Sequence, residues 1–148
     1  MRAAATWLAV AALAVAAVAL AVPPPGPAPV RRIDTADVGA YATASDLAAG
    51  SDLVVRGVPT GALSHELVGG VPFTISDVRV AAVLAGGPSV AMVRVRQVGG
   101  PGVETPHSPP LVPGRTYVLF LRRFAYAPDR PTDQYVVTGG GRGAVADP

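Results

Sequence analysis

The chain has 148 residues, half of them hydrophobic and only 5% aromatic, with a formal net charge of +2. That length suits one domain with an appendage, and a small, scattered surplus of arginine argues against a nucleic-acid-binding domain, whose cations cluster. No cysteine is present, which excludes disulfide frameworks, thiolate metal sites, cysteine nucleophiles and a lipid-bearing cysteine.

After Met1 and Arg2 comes AAATWLAVAALAVAAVALAV, residues 3–22, without a charge. The run is long enough to cross a bilayer as a helix. A positive start, an apolar stretch and Ala19-Leu20-Ala21 also match a secretory signal with a small-residue cleavage site. Eleven of its twenty residues are alanine, which drives membrane insertion weakly. Residues 1–22 are therefore expected to be an apolar helix serving as signal peptide or as membrane anchor. The rest of the chain is expected outside the cytoplasm, secreted or membrane-anchored. PPPGPAP, residues 23–29, favours extended polyproline II, so residues 23–40 read as a spacer.

The folded domain is expected over residues 41–148. Thr43 or Ser45 can cap a short helix through Ala48, ended by Gly50. LVVRGV, residues 53–58, reads as a first strand, followed by a loop containing Gly61 and Gly69-Gly70. FTISDVRVAAVL, residues 73–84, reads as a long second strand. Phe73 and Ile75 have one parity in it, Val78 and Val80 the other. Side chains alternate with a period of two, so placing all four inside needs an extra residue. A bulge near Ser76-Asp77 is the expected solution.

Gly86-Gly87-Pro88 makes a turn. VAMVRVRQV, residues 90–98, is a third strand with Val93 and Val95 inward and Arg94 and Arg96 outward. Residues 99–114 read as loop alone. TYVLFLRRF, residues 116–124, is apolar on both faces, as for a strand that is central or covered by a helix. Residues 127–133 form a turn, QYVVTG, residues 134–139, is a fifth strand, and the last residues can add a short pairing segment. Five strands and one short helix make a mainly β chain, with a small five-stranded OB-like barrel as the preferred architecture and a small β-sandwich as the alternative.

The order SDLVVRG, VLAGG, VRVRQVGG, PLVPGRTYVLFLRRF, QYVVTGGGRGAV, over roughly residues 45–146, resembles small exported bacterial domains of uncharacterised function. The layout is also similar to the OB-type barrel of netrin-module and metalloproteinase-inhibitor domains. Those inhibitors depend on an N-terminal cysteine and disulfides, which this chain lacks. The resemblance implies a fold and carries no functional residue across.

TGGGRG, residues 138–143, raises the question of a phosphate loop. A P-loop needs a lysine, and every basic residue here is arginine. A dinucleotide fingerprint needs different glycine spacing and a following helix. A tight turn or bulge after the fifth strand is expected instead. His65-Glu66 and Glu104 with His107 form the only set of metal-ligand type, but each histidine stands alone in a predicted loop without helical spacing. Neither a metal nor a cofactor is expected. Ser51, Ser64, Ser76, Ser89 and Ser108 lack a nucleophile elbow, and no acid pair dictates acid–base work. A non-enzymatic binding module is the expectation, with a hydrolase as the alternative. Arg79, Arg94 and Arg96 are the remaining candidates. If the second and third strands form a hairpin, they share one face that could bind an anionic envelope polymer; another envelope protein is the other partner considered. A solvated outer face partly neutralised by Asp77 is the plainer reading.

Overall fold

The computed structural model describes residues 26, 28–33 and 41–148. The expected signal or anchor, residues 1–22, and spacer residues 23–25, 27 and 34–40 lie outside the described residues. Among the described residues, no helix is long and apolar enough to cross a membrane.

Helix α1 spans Ala44–Ala49. Thr43, one of the two expected caps, caps it: its hydroxyl accepts from the Asp46 amide at 3.1 Å, and the Asp46 carboxylate accepts from the Thr43 amide at 2.9 Å. This reciprocal arrangement satisfies two backbone donors that the first turn leaves open. The hydrogen bond from Thr43 also holds the Asp46 carboxyl below its usual range. A helix this short has no independent stability. It is held by Leu47, which packs on Val54 and Phe120.

The strands are β1 (Arg31–Arg32), β2 (Leu53–Val68), β3 (Val71–Ala85), β4 (Met92–Val98), β5 (Val103–Glu104), β6 (Tyr117–Ala127), β7 (Arg130–Val137) and β8 (Ala144–Ala146). The five long strands close a ring, β2–β3–β4–β7–β6 and back to β2. Every step in the ring is antiparallel except β4–β7. One continuous ladder therefore runs round the molecule, giving a mainly β, OB-like barrel rather than the two separate sheets of a sandwich. Closure also removes the bare sheet edges that invite aggregation.

Val55, Val78, Val95, Leu119 and Leu121 fill the interior, with Leu111 joining them from the long loop. That loop is pinned by Gln97, whose amide donates to Pro109 O and accepts from Leu111 N. The two-faced apolarity of β6 has the expected cause. Leu119 and Leu121 enter the interior cluster, while Phe120 lies under Leu47 of the helix.

Several expectations need correction. The segments expected to be loop after residue 58 and turn over 127–133 are mostly strand, because β2–β3 and β6–β7 continue past the barrel as hairpins closed by Gly69-Gly70 and by Pro128-Asp129. The 99–114 loop contains β5, which pairs in parallel with β1 of the spacer. The bulge is absent at Ser76-Asp77, since β3–β4 pairing runs uninterrupted from Phe73↔Val98 to Arg79↔Met92. Ser76 and Val78 face the interior; Phe73 and Ile75 take the outer face, where Ile75 is nonetheless buried. The period-two reasoning held, but it assumed one buried face and the strand has two. The irregularities lie elsewhere. In β3 the surplus residues are Leu84 and Ala81, and β2 carries the surplus between Pro59 and Leu63.

Candidate functional site

Alternation along β4 puts Arg94 and Arg96 on the outer face, as expected, and pairing places Asp77 and Arg79 of β3 on the same face. Their environments then diverge. Arg79 is exposed. Arg94 is half-exposed, 3.1 Å from Asp133 and 3.8 Å from Asp77. Arg96 is 1% exposed. The three therefore do not form one solvated cationic patch, because the outer face is covered where Arg96 lies.

The cover comes from the β6–β7 hairpin. Between the pairs Arg123↔Tyr135 and Ala125↔Pro131, Phe124 alone opposes Thr132, Asp133 and Gln134, and this surplus in β7 bends the tip. Thr132 secures the bend by donating to Phe124 O at 2.7 Å and accepting from Gln134 N at 3.1 Å. Phe124 and Tyr126 pack edge to face, with centroids 5.1 Å apart. The Arg96 guanidinium lies 4.3 Å from the Phe124 centroid, 4.8 Å from Phe73 and 5.3 Å from Tyr126. Rings at these distances attract a cation through their quadrupoles, more strongly when water is excluded.

The polar contacts complete the cage. Arg96 Nε donates to Gln134 Oε1 at 2.8 Å, and Nη2 donates to Tyr126 Oη at 2.9 Å and to the Glu66 carboxylate. Tyr126 Oη in turn donates to the other Glu66 oxygen. That hydrogen bond, with Arg96 adding to it, holds the Glu66 carboxyl below the ordinary range. Its counterpart raises the Tyr126 phenol, because ionising it would set two anions together. Among the described residues, Arg96 Nη1 is the one buried side-chain nitrogen or oxygen without a hydrogen-bond partner.

A cavity of about 200 Å³ opens beside this cage. Phe73, Val98, Val136 and Val137 make its walls apolar, and Arg96, Gln97, Ser108, Arg122 and Gly140 supply polarity. Gln97 is already committed to the loop.

TGGGRG takes the expected turn role, in a specific form. β7 leaves the edge of β6 after Val137↔Leu121, and β8 rejoins that same edge at Ala144↔Leu119. Residues 138–143 are thus an excursion opposite Phe120, whose carbonyl accepts from Thr138 N at 2.8 Å. Gly139 and Gly140 have φ of 68° and 60°, and a Cβ on Gly143 would meet Thr138 O at 2.1 Å. The glycines are there because the chain folds on itself. Gly141 N donates to His107 O at 2.7 Å and Arg142 to Tyr41 O at 2.8 Å, tying loop and helix entrance to the barrel.

His65 Nδ1 is 3.2 Å from the Thr74 hydroxyl, which donates its proton to Gly99 O at 2.9 Å. The histidine is therefore the donor to Thr74 and not its base. Ser51 is bonded to Leu47 O and Thr138 Oγ1. Among the described residues, no three of His, Asp and Glu gather as a metal site.

The sequence reading named Arg96 but missed its partners Glu66, Phe73, Phe124, Tyr126 and Gln134, and the cavity residues Arg122 and Ser108 as a group. One available signal was the run Phe124-Ala125-Tyr126, two aromatics of one parity in a chain poor in aromatics. The chain matches no protein-family model, no curated protein and no solved structure.

Proposed function

We propose that this chain is an exported binding module of the small extracytoplasmic β-domain kind, secreted or tethered to the envelope by residues 1–22, and that it works by holding a ligand rather than by catalysis. The observation that carries the binding half is the cavity beside Arg96. Its walls are apolar, and among the described residues its side-chain groups without a hydrogen-bond partner can all donate. A few placed polar groups in an apolar concavity are the usual make-up of a ligand site. Export rests on the charge-free run 3–22 and the proline-rich spacer that follows.

Two measurements test the two halves. Fractionation with N-terminal sequencing should recover the chain outside the cytoplasm, either trimmed near Ala21 or intact in the membrane. Recovery of intact protein from the soluble cytoplasm would sink the export reading. A pull-down from envelope fractions with the 41–148 barrel attached to its spacer should retain an envelope polymer or envelope protein. An empty pull-down would count against the binding reading and, together with a failure to bind the cavity probe or with hydrolysis of a general ester or peptide substrate, would overturn it.

A further inference from the structure

The cavity beside the cage has an unbalanced set of polar groups. Arg96 Nη1 has no hydrogen-bond partner. Ser108 is 7% exposed, lines the cavity and has no hydrogen bond from its hydroxyl among the described residues. The Arg122 side chain, exposed at the rim, has no ion pair or hydrogen bond among the described residues. All three can donate. Among the described residues, no acidic side chain lines the cavity. A buried donor left open, as Arg96 Nη1 is, costs free energy, and a ligand that accepts from it recovers it.

Charge narrows the ligand. Arg96 is already offset by Glu66, whereas Arg122 has no ion pair among the described residues. The described residues therefore present one uncompensated positive charge there, which matches a monoanion better than a dianionic phosphate. Guanidinium groups also fit the two oxygens of a carboxylate. Size narrows it further. About 200 Å³ at condensed-phase density holds roughly seven to ten non-hydrogen atoms. The valines and Phe73 favour an apolar body behind the charged head.

We propose that this cavity binds a small carboxylate with a short apolar body, its head received by Arg122, Ser108 and Arg96 and its body packed on Val98, Val136 and Phe73. This deepens the binding reading above and rests on it. Octanoate is a suitable probe and 1-octanol its neutral counterpart. Titrated into the intact domain and followed by NMR, octanoate should shift the Val98, Val136, Ser108 and Gly140 signals saturably. Octanol and acetate should each bind at least about tenfold more weakly, since one lacks the charge and the other the body. Arg122→Gln, at an exposed position, should keep the fold and weaken octanoate by about tenfold, and added salt should mimic part of that loss. Ser108→Ala should weaken it less. Equal binding of octanoate and octanol, an unaffected Arg122→Gln variant, or no saturable shift would each overturn the proposal. If octanoate fails while the domain still retains envelope material, the ligand class is wrong and the binding-module reading stands. If both fail, both fall.

Discussion

On β4, Val95 and Arg96 are sequence neighbours and both are buried, one inside the barrel and one outside it. Val95 needs only to leave water among Val55, Val78, Leu119 and Leu121. Such burial stabilises by about 1.5–3 kcal/mol per large aliphatic side chain. Arg96 takes a charge out of water, and its attraction to Glu66 roughly breaks even with that cost. It therefore needs the rings of Phe73 and Phe124 and the hydrogen bonds of Gln134 and Tyr126. The inner face asks for apolar residues of suitable total volume. The outer face works only as a complete set, and it fixes where the β6–β7 hairpin lies.

The comparison is sharpest where the interior is cut. Leu121→Ala should destabilise the domain by about 3–5 kcal/mol, as expected for a fully buried leucine whose surroundings cannot collapse. Urea unfolding would measure it, and a loss under about 1 kcal/mol would mean the ring is not a packed core.

A smaller loss separates charge from volume in the cage. Arg96→Ala should cost about 3 kcal/mol, because it leaves a void beneath two rings. Arg96→Met combined with Glu66→Gln should recover most of that loss, since a well-packed apolar replacement of a buried ion pair is near neutral. If the double variant is as unstable as Arg96→Ala, the ionic contact itself supports the barrel.

pH should act on the outer face and leave the inner one untouched. Glu66 titrates below its ordinary range in the folded state. Its contribution is therefore present above that range and is lost as pH falls through the lowered value. Tyr126 titrates above its ordinary range, so its contribution is present below that range and lost as pH rises through the raised value. Asp46 adds a second acid-side contribution through the helix cap. Glu66→Gln should flatten the acid limb of stability against pH except for the part that Asp46→Asn removes. Tyr126→Phe should flatten the alkaline limb. Unchanged limbs in these variants would show that the cage is not closed in solution.

The smallest effect belongs to Arg94, two residues from Arg96 and of the same parity. Arg94→Ala should change stability by no more than about 0.5 kcal/mol, because its partners Asp77 and Asp133 are exposed to water. A larger loss would erase the distinction drawn here between a solvated and a covered arginine.

Local sequence determined a good deal. Thr43 or Ser45 marked the helix start, and the structure chose Thr43, whose capping box with Asp46 is made entirely within one turn. Alternation places Val93 and Val95 against Arg94 and Arg96 on opposite faces, because a strand has no other choice. Apolarity on both faces of residues 116–124 announces a strand covered outside as well as inside. Spacing alone rules TGGGRG out as a phosphate loop. Only the tertiary structure decided what covers an outward residue. Arg79, Arg94 and Arg96 share one sheet face and one chemistry, yet one is bare, one half-exposed and one caged. That difference arises from a surplus in β7 that bends a distant hairpin over one part of the sheet, and contact between Glu66, Arg96 and Tyr126 spans residues thirty positions apart on either side. The expected bulge at Ser76-Asp77 failed for the same reason. Alternation gives a residue's side of the sheet, while burial depends on whichever element packs there, and that is settled by chain segments far away in sequence.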